Sequence, residues 1–198
     1  MSLKSAISAL STKAKVIIGT AAVAVVGAAV AAAILFSGGT DTYRVLKVFE
    51  LDGSAVISRE GTGELSAYVG MNLESGDTLT VGDDSTMRIS MDNDKYVLLD
   101  EGTVLELTAE GSPADSRTSI KLVKGTILNE LTSSLSANSS YEVSTPKSTM
   151  AVRGTSFLVS VVENEDGSYT ITVKTFHGKV EVTLLDEYGN PTDKTVIV

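Results

Sequence analysis

The chain has 198 residues with 16 basic and 25 acidic side chains, a formal net charge of −9 at neutral pH, one histidine, no cysteine and no tryptophan. That length holds one domain of roughly 150 residues plus an extra segment. Lack of cysteine excludes a disulfide framework, thiol catalysis and a cysteine-acylated lipoprotein, and a lone histidine excludes a multi-histidine metal centre.

Residues 1–15, MSLKSAISALSTKAK, carry Lys4, Lys13 and Lys15 and no acid, and read as a short cytoplasmic basic segment. Residues 16–36, VIIGTAAVAVVGAAVAAAILF, are uncharged throughout. As a helix at about 1.5 Å per residue they would span a ~30 Å hydrocarbon layer, so a transmembrane helix is predicted. No Lys or Arg follows until Arg44, which places the N-terminus in the cytoplasm and the bulk of the chain outside a cell membrane crossed once. A cleaved signal peptide ending at the small residues Ala31 and Ala33 is the competing reading, and a mature protein starting near Ile34 would refute the anchor. Ala24 with Ala28 and Gly27 with Ala31 leave open a weak homodimer through this helix, although such spacings arise by chance in so alanine-rich a stretch.

Residues 37–42, SGGTDT, form a flexible tether, and residues 43–198 form the exported domain. Without the three leading lysines the rest of the chain has 13 basic against 25 acidic residues, a net of −12. With no basic stripe and no interleaved aromatics, it should bind no nucleic acid.

From here the chain is a series of short β-branched runs punctuated by Gly, Asp and Asn, which predicts an all-β fold. Strands are expected at Tyr43–Glu50, Ala55–Ser58, Thr78–Val81, Thr86–Met91, Tyr96–Leu99, Val104–Thr108, Ser119–Val123, Ile127–Leu131 and Tyr141–Ser144. They continue at Thr155–Glu163, Tyr169–Phe176, Val180–Leu185 and Thr195–Val198. Asp166-Gly167 between two long alternating runs is the clearest hairpin signal, and 132–140, TSSLSANSS, reads as a solvated connector. Glycines preceding strands recur at Gly53, Gly102, Gly125 and Gly178 without a constant period. A regular solenoid is therefore not supported, and the expected architecture is a layered β-roll or β-sandwich of short antiparallel hairpins.

Catalytic chemistry is sparse. His177 lies in a turn-like Phe176-His177-Gly178 and reads as a solvated turn residue. The acidic pairs Asp83-Asp84 and Asp92-Asn93-Asp94 sit at expected turns. A weak Ca²⁺ site at Asp92 and Asp94 is conceivable, but their spacing does not match an EF-hand loop. No catalytic residue, cofactor or metal site is expected, and the chain is read as a non-enzyme.

The densest stretch is 143–157, VSTPKSTMAVRGTSF. Pro146 fixes its φ and lacks an N–H, so the strand through Tyr141 and Val143 should end there or lie at an edge. Unbroken alternation in the next strand would put Arg153 on the face of Phe157, Val159 and Val161, pointing a charge into the core. Either Gly154 hosts a bulge that resets the parity, the favoured solution, or Arg153 is buried against a carboxylate. A structural role for Arg153 is preferred to a ligand contact.

Four motifs occur in order: Gly70, Leu73, Gly76 and Asp77 (G-x-x-L-x-x-G-D); Val143, Thr145 and Pro146 (V-x-T-P); Val152, Arg153, Gly154, Thr155 and Phe157 (V-R-G-T-x-F); and Gly178, Val180 and Val182 (G-x-V-x-V). Over roughly residues 53–184 the chain thereby resembles the FecR family of extracytoplasmic β-rich domains. For the best-known members this implies a cytoplasmic anti-sigma segment, one membrane crossing and an exported domain that senses an outer-membrane partner. Here only fifteen residues precede the apolar run, and isolated helices shorter than ~12–15 residues are marginal. The expected function is therefore a non-enzymatic binding or envelope-organising module with a protein or cell-envelope polymer partner. The alternative is an extracytoplasmic sensor or regulator of a sigma/anti-sigma type membrane protein.

Overall fold

The computed structural model describes residues 44–198. The predicted cytoplasmic segment, transmembrane helix and tether lie outside the described residues. The rest is all-β, with fourteen strands: β1 Leu46–Asp52, β2 Ala55–Arg59, β3 Gly63–Ser66, β4 Thr78–Val81, β5 Thr86–Met91, β6 Lys95–Leu99, β7 Val104–Glu110, β8 Arg117–Leu131, β9 Ser140–Ser144, β10 Ser148–Val152, β11 Ser156–Glu163, β12 Tyr169–His177, β13 Val180–Leu185 and β14 Pro191–Ile197.

One hydrogen-bonded network joins them, open at its ends. One arm runs β1-β5-β6-β8-β11-β12 and the other β14-β13-β10-β9-β8-β7-β4-β2-β3, so β8 belongs to both. Its first half pairs with β7 and β9 and its second half with β6 and β11. Fifteen residues of straight strand would cover about 45 Å. The chain from Leu131 to Ser140, which returns to pair beside Arg117, can reach only about 30 Å when fully extended. β8 must therefore bend, and it does so at Gly125, whose φ is +93°.

A bulge beside Val104 accompanies this bend and switches which side chains of β8 are buried. Thr118, Ile120 and Leu122 are buried before it, and Ile127, Asn129 and Leu131 after it. Thr103 seals the corner from the other side. Its Oγ1 accepts from the Thr126 N–H and donates to the Thr126 carbonyl, both at 3.1 Å.

The larger of two apolar clusters among the described residues draws on both arms. Val48, Ile89, Val97, Phe157 and Val159 come from one, and Ile57, Leu79, Leu107, Ile120, Val143 and Val180 from the other. Tyr141 is buried among them, its hydroxyl donating to Asn129 Oδ1 at 2.7 Å. Burial pushes the phenol's pKa up, so it remains a neutral donor.

Several expectations need correction. Two predicted strands, Ser119–Val123 and Ile127–Leu131, are the halves of β8, because a glycine that looks like a strand break is a bend in a continuous ladder. β3, with the sequence GELS, carries no β-branched signal and was not expected. β10 was hidden between Pro146 and Arg153-Gly154. The last strand begins at Pro191, earlier than predicted, and its polar half is paired only at an edge. Antiparallel pairing holds everywhere except β8–β9, which is parallel. The connector at 132–140 is solvent-exposed over most of its length, as expected, yet pinned at three points: Thr132 N–H donates to the Asp94 carbonyl, Ser136 Oγ to the Ala114 carbonyl, and Ser116 N–H to Ser139 Oγ.

Candidate functional site

Most of the motif residues are consumed by the fold. Gly76 and Asp77 close the turn ahead of β4, with Gly76 at φ +97°. The Asp77 carboxylate is buried and takes both arms of Arg59, Nε to Oδ1 at 2.8 Å and Nη2 to Oδ2 at 2.7 Å. Oδ2 also accepts from the Glu74 N–H at 2.8 Å. Asp77's own carbonyl accepts from the Leu107 N–H, and the Gly76 N–H donates to the Leu107 carbonyl. The aspartate thus caps its turn and locks β2 and β7 around it.

Thr145 and Pro146 make the tight β9–β10 turn. β9 ends at Ser144, as the proline requires. Thr145 is buried, and its Oγ1 accepts from the Ser148 N–H at 3.0 Å. The chain then re-enters the sheet as β10 and leaves it at Val152, which is buried opposite Val180.

The next residues form a corner between the two arms. Gly154, at φ +82°, lies outside any ladder, between β10 and β11. The expected bulge inside a continuing strand is therefore absent. The parity is reset by the turn itself, with Val152, Thr155 and Phe157 all buried. Gly178 packs on this corner so closely that a Cβ there would lie 3.1 Å from the Gly154 carbonyl oxygen and 3.1 Å from Thr155 Oγ1. Thr155 Oγ1 donates to the Lys179 carbonyl at 3.3 Å.

Arg153 is the exception. It is exposed and makes no ion pair or side-chain hydrogen bond among the described residues, so neither sequence solution, a bulge or a buried pair, describes it. Lys179 flanks the same last ladder pair, Val152 with Val180, and His177 lies on the strand beside Ser156. Both are exposed, and neither has a side-chain partner among the described residues. The nearest acids by register are Glu142 and Glu181, both opposite Ala151, and no ion pair joins either of them to Arg153 or Lys179. The corner thus holds two exposed cations without an ion pair, Arg153 and Lys179, with His177 beside them, on a strongly acidic domain, and it is rimmed by Ser133 and Ser134 against Gly154. Lys179 and His177 carried no motif signal for ligand contact. Only the excess of acid elsewhere in the chain makes unpaired cations conspicuous.

Two other charged clusters are structural. Asp92 Oδ2 receives Arg44 Nη2 at 2.8 Å and lies 3.4 Å from Lys95 Nζ, while Asp94 Oδ1 is 2.6 Å from Lys95 Nζ. Arg44 also donates to Thr118 Oγ1 and to the carbonyls of Glu110 and Arg117. The two carboxylates considered for Ca²⁺ are therefore already paired with cations. On the outer side of β5, Arg88 stacks over Tyr96 at 4.8 Å and Phe49 at 5.7 Å and pairs with Glu130 at 3.0 Å.

Glu50 lies opposite Arg88. Burial raises its carboxyl above the usual range, with the Arg88 charge only partly offsetting this, and Glu50 Oε2 is buried without a partner. A raised acid binds its proton more tightly in the folded state, so its stabilising effect is present at low pH and is lost as pH rises through the raised value. Glu50→Gln should therefore melt above the wild type at neutral pH. The gap should close in acid buffer, as thermal unfolding at the two pH values would test.

A cation cluster of this kind can hold carboxylate or phosphate oxygens by charge-assisted hydrogen bonds. Comparison with protein families matches residues 77–181 to the family described as FecR protein. No curated protein and no solved structure matches the chain.

Proposed function

The chain belongs to the FecR family, and from that premise we propose that it is a single-pass, membrane-anchored extracytoplasmic module. In this reading it is non-enzymatic, needs no cofactor, and binds an anionic partner through the corner formed by Arg153, His177 and Lys179. One observation carries it: among the motif residues, Gly76, Asp77, Thr145, Pro146, Val152, Gly154, Thr155, Phe157 and Gly178 each have a structural task, whereas Arg153 is exposed without a partner. A long charged side chain with nothing to hold is available for recognition. The partner would be a protein or envelope polymer presenting carboxylate or phosphate groups.

Crosslinking on intact cells tests the reading. Arg153→Ala combined with Lys179→Ala should abolish partner capture while leaving the thermal midpoint of the full chain within a few degrees of wild type. Undiminished capture would overturn it.

Family membership suggests an extracytoplasmic signalling or regulatory role, which favours a second reading: the domain regulates a separate membrane signalling protein. Deleting residues 2–14 separates the two. Loss of a transcriptional response supports the regulator, and an unchanged surface phenotype supports the module.

A further inference from the structure

Four strands have a free lateral edge among the described residues: β1, β3, β12 and β14. Three are blunted in the usual ways. β3 is four residues long and carries Glu64. β14 opens with Pro191 and carries Asp193 and Lys194. Along β1 the segment 70–73 is hydrogen bonded, Val48 N–H to the Met71 carbonyl, Gly70 N–H to the Val48 carbonyl and Leu73 N–H to the Leu46 carbonyl.

β12 has none of these protections over most of its length. It is nine residues, YTITVKTFH, with no proline, no acid and one lysine, and its single irregularity is confined to the end near Phe176. The bond from the Asn164 N–H to the Ser168 carbonyl sets the alternation that follows. Thr170, Thr172 and Lys174 turn their backbone groups toward β11, and Ile171, Val173 and Thr175 turn theirs outward. The half-buried Tyr169, Ile171 and Val173 pack on the core, so the apolar layer itself reaches this open edge.

We propose that β12 pairs antiparallel with β12 of a second copy, joining two domains into one continuous sheet. This rests on reading the Arg153 corner as a contact surface, and it names the anion as the second copy's acidic hairpin. Charge arrangement selects that occupant. β12 runs from a turn carrying Glu163, Glu165 and Asp166 to a corner that holds His177 and the cations Lys179 and Arg153. Antiparallel self-pairing about Val173 sets Tyr169 opposite the second copy's His177, and each acidic turn then lies beside the other copy's basic corner. A parallel arrangement would set like charges together, which is destabilising.

The test uses the full chain in detergent micelles, with mass read by light scattering at tens of micromolar. The wild type should be a dimer that weakens as salt screens the paired charges. Val173→Pro removes one outward N–H at an edge where proline is tolerated. It should give a monomer with an unchanged far-UV spectrum, whereas Thr195→Pro on β14 should leave the dimer intact. Since the chain has no cysteine, Val173→Cys provides a second measurement that does not depend on tolerating proline: position 173 lies opposite itself in this register, within disulfide reach, so mild oxidation should link two copies.

A monomeric wild type, a dimer indifferent to Val173→Pro, or no disulfide at position 173 would overturn the pairing. Failure of the corner reading is distinguishable. If the wild type is monomeric but partner capture on cells still depends on Arg153, only the pairing falls. If Arg153→Ala alters neither capture nor dimerisation, the corner reading falls.

Discussion

Asp77→Ala should cost about 3–5 kcal/mol, because removing one partner of a buried ion pair leaves the other charge uncompensated. The Asp77 side chain is fully buried against an Arg59 that is 17% exposed, and the substitution also orphans the Glu74 N–H that it caps. Arg59's other contacts, Glu74 Oε1 at 2.6 Å and the Asn72 carbonyl at 3.1 Å, lie at the surface and do not replace it. In urea unfolding the midpoint should fall by about 1–3 M with unchanged slope. The double variant Arg59→Met, Asp77→Leu should recover most of the loss, since an apolar pair of similar volume often matches a buried ion pair. A midpoint unchanged in the single variant would mean that the bidentate contact contributes nothing.

Gly125→Ala should destabilise by roughly 2–6 kcal/mol, combining about 1–3 for a strained backbone with about 1–3 for overpacking. A Cβ there would lie 2.5 Å from the Cα of Thr103, a backbone atom that cannot rotate away. Gly167→Ala is the matched control. Its φ is also positive, +77°, but a Cβ would meet nothing within 4 Å, so only the backbone cost of about 1–2 kcal/mol applies. Chemical denaturation of both variants separates steric from conformational cost. Equal losses would mean that the β8–Thr103 contact yields freely.

The strands legible in the sequence were those with strong β-branched runs inside clear turns, such as β4, β5, β12 and β13. β3 and β10 escaped because Glu64 and the Pro146 and Arg153-Gly154 boundaries mask short pairing segments whose stability comes from their neighbours. Two glycines mislead about strand continuity in opposite senses, Gly125 reading as a break and Gly154 as a bulge within one strand. Gly125 keeps a strand continuous while reversing its faces, and Gly154 ends one strand and starts another. Local pattern cannot distinguish these, since what decides is the surface each glycine approaches, Thr103 in one case and Ser134 with Gly178 in the other.

The candidate corner was half visible. Arg153 stood out by motif, but its freedom depends on where β10 ends. Lys179 joins it through the pairing of Val152 with Val180, a contact between distant parts of the chain.

The double membership of β8 bears on how the chain acquires its structure. A strand that supplies neighbours to both arms cannot complete either arm independently, so no early fragment ending before β11 satisfies both halves of its ladder. Closing such separated pairings costs loop entropy before much energy is returned, which slows assembly. The same arrangement denies the finished domain a stable half-open form. Hydrogen exchange should therefore find the amides on either side of Gly125 released together, in one cooperative event.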